Sequence, residues 1–209
     1  MAKRKNLVSF LLDRTGSMGV IWESTVGGFN EFVKEQVKNK DYKTVWNLTV
    51  FDSEGVDLIH EGVKGKNMPK LADDDDVVYP RGMTPLHDAI ARTIKATDQI
   101  ADDFDGVIFV ILTDGEENAS TEYTLKQVYD LIRAREDKKN WQFIFLGANM
   151  DAYKVGVDYG IQKGQTVTFE ATEKSVVGTY AVAAASTASY ASTGQTVTSH
   201  EDTTEKGNT

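Results

Sequence analysis

The chain has 209 residues, 40% hydrophobic and 26% charged, which are ordinary proportions for one globular domain with an extension or for two small domains. They exclude a wholly disordered, collagen-like or coiled-coil chain, and the lack of cysteine excludes disulfides, thiolate metal sites and a cysteine nucleophile. The formal net charge of −9 opposes binding to nucleic acid and to anionic membranes, so we expect neither as a partner.

The first half of the chain alternates short apolar runs with amphipathic stretches. Leu7–Leu12 is a continuous apolar run between polar residues, which is typical of a fully buried strand. Apolar residues at helical spacing predict helices over about 20–39 and 85–102. Between these helices, Thr44–Phe51 and the weaker Val56–Val63 predict two strands joined as a hairpin.

The second half continues the same alternation. Gly106–Thr113 is the most apolar run in the chain and predicts a central parallel strand. The elements predicted after it are a helix over 122–138, a strand over Trp141–Leu146, a short helix from Asp151, a strand over Thr166–Glu170 and a helix over 173–190 capped by Thr172.

Strands that alternate with helices imply right-handed crossovers and a parallel sheet. We therefore predict an α/β fold: a doubly wound, mostly parallel sheet with helices on both faces and the second hairpin strand antiparallel at one edge. Residues 1–190 form the predicted domain. Residues 191–209 are rich in Ser and Thr and predict a disordered tail, because they carry too little apolar surface to offset the entropy of ordering.

Two aspartates follow the most apolar strands. Asp13 ends the first strand and Asp114 ends the strand at Gly106–Thr113. In a doubly wound sheet, ligands bind beyond the carboxyl ends of the strands, where the strand order reverses. If these two strands flank that point, the two carboxylates share one crevice.

Three hydroxyl side chains accompany the aspartates. Thr15 and Ser17 follow Asp13 at the spacing D-x-T-x-S, and Thr84 precedes the predicted second helix. A set made only of oxygen ligands suits a hard cation such as Mg²⁺ or Mn²⁺ better than zinc. Asp13, Thr15, Ser17, Thr84 and Asp114 are therefore the predicted metal site.

Three segments together resemble the signature of the von Willebrand factor type A (vWA) domain: Asp13-Arg14-Thr15-Gly16-Ser17-Met18, Gly82-Met83-Thr84-Pro85-Leu86 and Leu112-Thr113-Asp114-Gly115. That family builds its metal-ion-dependent adhesion site from D-x-S-x-S, a threonine and an aspartate, in this order. The resemblance covers about residues 5–190 and implies a Rossmann-like vWA fold. Residues 146–152 are similar to small stand-alone members from bacteria and phages.

The resemblance also implies roles for the residues. Thr15, Ser17 and Thr84 would ligate Mg²⁺ directly, with Mn²⁺ or Ca²⁺ as possible substitutes, while Asp13 and Asp114 would act largely through water or as balancing charges. An open position on the metal would accept an Asp or Glu carboxylate from a partner protein. Thr15 departs from the family's usual serine, which puts affinity and metal preference in question.

Other interpretations compete with this one. The aspartates could be ordinary turn residues, Ser17 a helix cap, and Thr84 a cap with Pro85 in the first helical turn. A Mg²⁺-dependent phosphoryl-transfer or hydrolytic enzyme could use the same crevice, although dehalogenase-like phosphatases need an aspartate where Thr15 stands. A metal-free structural scaffold is a third possibility. We predict a binding module and no enzyme, and a cytoplasmic location because no targeting or membrane segment is evident.

Overall fold

The computed structural model describes residues 2–72, 78–138 and 140–196. Six strands and five α-helices alternate along these ranges in the predicted order. The strands are β1 (Arg4–Asp13), β2 (Tyr42–Asp52), β3 (Gly55–Lys64), β4 (Gly106–Thr113), β5 (Trp141–Ala148) and β6 (Thr166–Phe169). The helices are α1 (Trp22–Lys38), α2 (Leu86–Asp98), α3 (Leu125–Glu136), α4 (Ala152–Asp158) and α5 (Glu173–Thr193).

The strands form one sheet in the order β3-β2-β1-β4-β5-β6. All neighbouring pairs are parallel except β2 and β3, which form an antiparallel hairpin at the edge. The predicted fold class is confirmed. The chain leaves β1 toward β2 and β3, then returns to β4 on the other side, so the strand order reverses between β1 and β4. Their carboxyl ends flank that reversal, with Leu12 paired to Leu112.

Helices cover both faces of the sheet. On one face, α1 and α5 pack on side chains such as Phe10, whose ring centroid lies 5.1 Å from that of Phe29. On the other face, α2, α3 and α4 pack on Leu11 and its neighbours. From Leu7 to Asp13 every residue of β1 is buried, which explains why the sequence shows a continuous apolar run there instead of alternation.

The helix ends differ most from the sequence prediction. The last helix continues to Thr193, three residues beyond the predicted domain boundary, and ends at Gly194 in the left-handed conformation (φ 72°). The predicted tail is partly untested because residues 197–209 lie outside the described residues. In the part of the chain that the structure describes, no helix has the length and apolarity needed to cross a bilayer.

Candidate metal centre

The structure brings all five predicted residues to one crevice at the carboxyl edge of β1 and β4. Asp13 is the last residue of β1, and Asp114 directly follows β4. The hydroxyl of Ser17 donates a hydrogen bond of 2.7 Å to Oδ1 of Asp114. The hydroxyls of Thr15 and Ser17 lie 3.2 Å apart. The loop after β1 therefore joins the loop after β4 across the reversal point, as the sequence predicted.

Thr84 enters the crevice from the segment before α2. Its Oγ1 lies 2.9 Å from the position that a Cβ would occupy at Gly115, so this glycine permits the close approach. The backbone of Thr84 is held on both sides by Asn118: the Asn118 side-chain oxygen accepts from the Thr84 N–H at 2.9 Å, and the Asn118 N–H donates to the Thr84 carbonyl at 3.1 Å.

The floor of the crevice is buried, and its mouth is open. Asp13, Thr15 and Thr84 are 0%, 1% and 3% exposed. Ser17 is exposed and Asp114 is partly exposed. A ligand approaching from solvent would therefore meet Ser17 and Asp114 before it met the three buried groups.

Both oxygens of Asp13 already accept hydrogen bonds. Oδ1 accepts from the Thr15 N–H and Oδ2 from the Thr113 hydroxyl, each at 2.6 Å. These contacts fix the first loop against the end of β4. Thr113 was missed by sequence reasoning, although it stands within the Leu112–Gly115 segment that signalled the site.

Backbone hydrogen bonds hold the two hydroxyl-bearing loops together. The Gly16 N–H donates to the Gly82 carbonyl at 3.2 Å, and the Arg81 N–H donates to the Arg14 carbonyl at 2.8 Å. Gly82 has a φ of 70°, a left-handed conformation that favours glycine. The spacing between the loops is therefore set by the main chain as well as by side chains.

The competing helix-cap interpretations are not supported. Ser17 lies inside a short 3-10 turn, Gly16–Val20, and α1 begins later, after Ile21, which makes no side-chain cap. Pro85 occupies the N-cap position of α2 rather than its first turn. The Ser17 hydroxyl is directed to Asp114 instead of to a helix end.

Burial in the crevice disfavours the ionised form of both Asp13 and Asp114. Burial raises the pKa of Asp13 from 3.8 to about 7, against the lowering effect of the hydrogen bonds from Thr113 and Thr15, and the Asp114 charge adds to the rise. Burial also raises the pKa of Asp114, although the Ser17 hydrogen bond opposes that shift. A positive charge placed between the carboxylates would reverse both shifts.

The donor set fits a hard cation. The described residues contain no group of three or more His, Cys, Asp or Glu side chains suited to a metal ion. The crevice instead combines two carboxylates with three hydroxyls, all oxygen donors, which matches the preference of Mg²⁺ for oxygen and its tolerance of retained water.

Comparison with solved structures identifies a vWA-type fold. The SpRpn10 VWA domain aligns with a TM-score of 0.62 at 13% identity, covering 83% of this chain and 93% of that one. The vWF domain of the type V pili tip protein Mfa5 from Porphyromonas gingivalis aligns with a TM-score of 0.65 at 10% identity, covering 88% and 95%. Proximal thread matrix protein 1 from the mussel byssus aligns with a TM-score of 0.63 at 12% identity, covering 87% and 46%.

These likenesses confirm the vWA-type fold that the resemblance of the three motifs implied. At such identities they establish the fold, while function must be argued from the site. No protein-family model and no curated protein matches the sequence. The chain spans less than half the length of the mussel protein.

Proposed function

We propose that this protein is an interaction module that binds a divalent cation, foremost Mg²⁺, in the crevice and through it a carboxylate of a partner protein. The observation that supports this most is the convergence of two aspartates and three hydroxyls from three separate loops at one sheet edge. The vWA-type fold supports the general class of an interaction module.

The hydroxyl and carboxylate residues would have different roles in holding the cation. The hydroxyls of Thr15, Ser17 and Thr84 would ligate it directly, and Asp13 and Asp114 would balance its charge. When bound, the cation supplies a positive charge that an incoming carboxylate can ligate. Because three of the five groups are neutral, the cation keeps much of its attraction for that carboxylate.

Apolar side chains beside the crevice favour a protein as the partner. Val20 is 84% exposed and ends the 3-10 turn that carries Ser17, and Met83, which is 57% exposed, directly precedes Thr84. Exposed apolar groups next to a polar centre are typical of protein-binding surfaces. We therefore propose a partner segment whose acidic residue is flanked by apolar side chains.

The hydrolytic alternative has less support. A hydroxyl, Thr15, stands at the position where a dehalogenase-like enzyme needs an acid, and it lies 3.2 Å from the hydroxyl of Ser17. The cytoplasmic location, the identity of the metal and the bacterial or phage origin stay predictions.

The test uses a short blocked peptide with one central Asp flanked by leucines, titrated into the ¹⁵N-labelled protein and followed by NMR. With Mg²⁺ present, we expect chemical-shift changes in the loops around Ser17, Thr84 and Asp114. The same peptide with Asn in place of Asp is the matched control and should cause none, and EDTA should abolish the effect. Equal shifts with either peptide, or in EDTA, would contradict the proposal.

A further inference from the structure

An ion cluster centred on a buried aspartate adjoins the two loops that carry the crevice hydroxyls. It joins Arg14, which stands between Asp13 and Thr15, to Asp52 at the end of β2 and to Arg81 in the segment before α2. The side chain of Asp52 is 0% exposed, that of Arg14 is 1% and that of Arg81 is 26%. Two cationic side chains are therefore attached to the same two loops that carry the hydroxyls.

Asp52 is fully engaged as an acceptor. Its Oδ2 accepts from Nε of Arg14 and from Nε of Arg81, each at 2.8 Å. Its Oδ1 accepts from the N–H groups of Glu54 at 2.6 Å and Gly55 at 3.1 Å. Burial acts to raise the pKa of Asp52, but these hydrogen bonds and the arginine charges outweigh it and keep the pKa below its ordinary value.

Further acids draw both guanidinium groups toward the β2–β3 hairpin. Arg14 also forms an ion pair with Asp57 on β3, and Arg81 lies 3.2 Å from a carboxylate oxygen of Glu54. The carboxylate of Asp114, by contrast, accepts from Ser17. These ion pairs of the two arginines are thus with acids of the hairpin, while Asp114 is held by a hydroxyl.

We propose that Asp52 is a positioning residue that holds Arg14 and Arg81 at the hairpin and so leaves Asp13 and Asp114 to the cation. This inference rests on the proposed metal binding. Arg14 directly follows Asp13, and Arg81 lies three residues before Thr84. A guanidinium released from Asp52 can therefore pair with a carboxylate of the crevice and compete with the metal. Asp52 therefore raises metal affinity without touching the metal.

The test is isothermal titration calorimetry of the protein with MgCl₂, on wild type and on Asp52→Asn. This substitution keeps the shape of the side chain and one acceptor oxygen but removes the charge. We expect Asp52→Asn to lower the affinity at least tenfold. The double variant Asp52→Asn/Arg81→Gln should recover a substantial part of that loss, because it removes one competing cation. A purely structural role predicts the opposite, since the second substitution only damages the cluster further.

A milder variant keeps the test decisive if Asp52→Asn does not fold. Asp57→Asn changes an exposed side chain and loosens only the second anchor of Arg14, so we expect a two- to fivefold lower affinity. Glu61→Gln, on the same strand, removes the same charge from an exposed position and should leave the affinity unchanged. Wild-type affinity in Asp57→Asn and in any folded Asp52→Asn, or no recovery in the double variant, would overturn the inference alone. No Mg²⁺ binding by wild type would overturn the proposed function and the inference with it.

Discussion

The hydroxyl of Ser17 donates a 2.7 Å hydrogen bond to the carboxylate of Asp114, although 97 residues separate the two in sequence. The bond spans the point where the strand order reverses, and it joins the exposed Ser17 to the partly exposed Asp114, whereas the other three site residues are buried. Ser17 and Asp114 are therefore arranged as the mouth of the crevice, where a cation would be gained or lost.

Substitution of Ser17 tests whether its hydroxyl is a ligand. We expect Ser17→Ala to lower Mg²⁺ affinity by at least about tenfold, in the range seen when groups that hold or orient a metal are removed. Isothermal titration measures the change. Ser24→Ala, the same substitution within α1, is the matched control and should bind Mg²⁺ as wild type does. Equal affinities in the two variants would exclude Ser17 from the site.

The raised pKa of Asp13 predicts a specific dependence on pH. Between its ordinary pKa of 3.8 and the folded value of about 7, the folded protein holds a proton that the unfolded chain has lost. The stabilising contribution of this group is therefore complete below pH 4 and is lost as the pH rises through 7. Urea unfolding in EDTA should show this loss between pH 5 and pH 8 in wild type.

The variant Asp13→Asn should lose that part of the pH dependence, whereas Asp102→Asn, at an exposed position before β4, should keep it. The stabilisation caused by added Mg²⁺ should increase as the pH rises, because the cation favours the ionised carboxylate. The rise in melting temperature caused by Mg²⁺ should thus be larger at pH 8 than at pH 6. A metal effect that shrinks toward pH 8 would contradict this assignment.

The apolar neighbours of the crevice should affect the partner and not the metal. We expect Met83→Ser to weaken Mg²⁺-dependent binding of the leucine-flanked Asp peptide by about fivefold, which corresponds to about 1 kcal/mol of lost apolar contact. Mg²⁺ affinity should be unchanged. Val177→Ser, at a 62% exposed position on α5, is the control and should bind the peptide normally. Unchanged peptide binding by Met83→Ser would contradict a role for this exposed apolar side chain in binding the partner.

Two adjacent glycines in α1 offer a direct test of the packing between α1 and α5. A Cβ at Gly28 would overlap the ring of Tyr180, whereas nothing lies within 4 Å of a Cβ at Gly27. We expect Gly28→Ala to lower the free energy of unfolding by about 1–3 kcal/mol through overpacking. Gly27→Ala should raise it by up to about 1 kcal/mol through helix propensity. Urea unfolding in EDTA measures both, and similar effects of the two substitutions would contradict the observed packing.

The sequence was sufficient for the fold class and for gathering the five site residues. The continuous apolar runs Leu7–Leu12 and Gly106–Thr113 predicted buried strands, whereas Val56–Val63 carries a weaker signal. The aspartates after the two runs were expected to share a crevice if the strand order reverses between these strands, which it does. Helix ends were harder, because α5 continues to Thr193 through small residues whose weak local preferences are supplemented by packing on the sheet.

Supporting contacts could not be predicted in the same way. In sequence, Asp52 lies 38 residues from Arg14, Thr113 lies 100 residues from Asp13 and Asn118 lies 34 residues from Thr84. Their pairing depends on which loops the finished sheet brings together. An aspartate after a strand looks the same in sequence whether it faces a metal or an arginine.

The most direct test of the central claim is thermal unfolding with increasing Mg²⁺, on wild type, Asp114→Ala and the control Asp102→Ala. At 100 times the dissociation constant, a bound cation adds about 2.7 kcal/mol of stability. For a domain of this size that corresponds to a rise in melting temperature of roughly 5–10 °C. The account predicts this rise in wild type and Asp102→Ala and its loss in Asp114→Ala. An equal rise in all three proteins, or none in wild type, would contradict a metal site in this crevice.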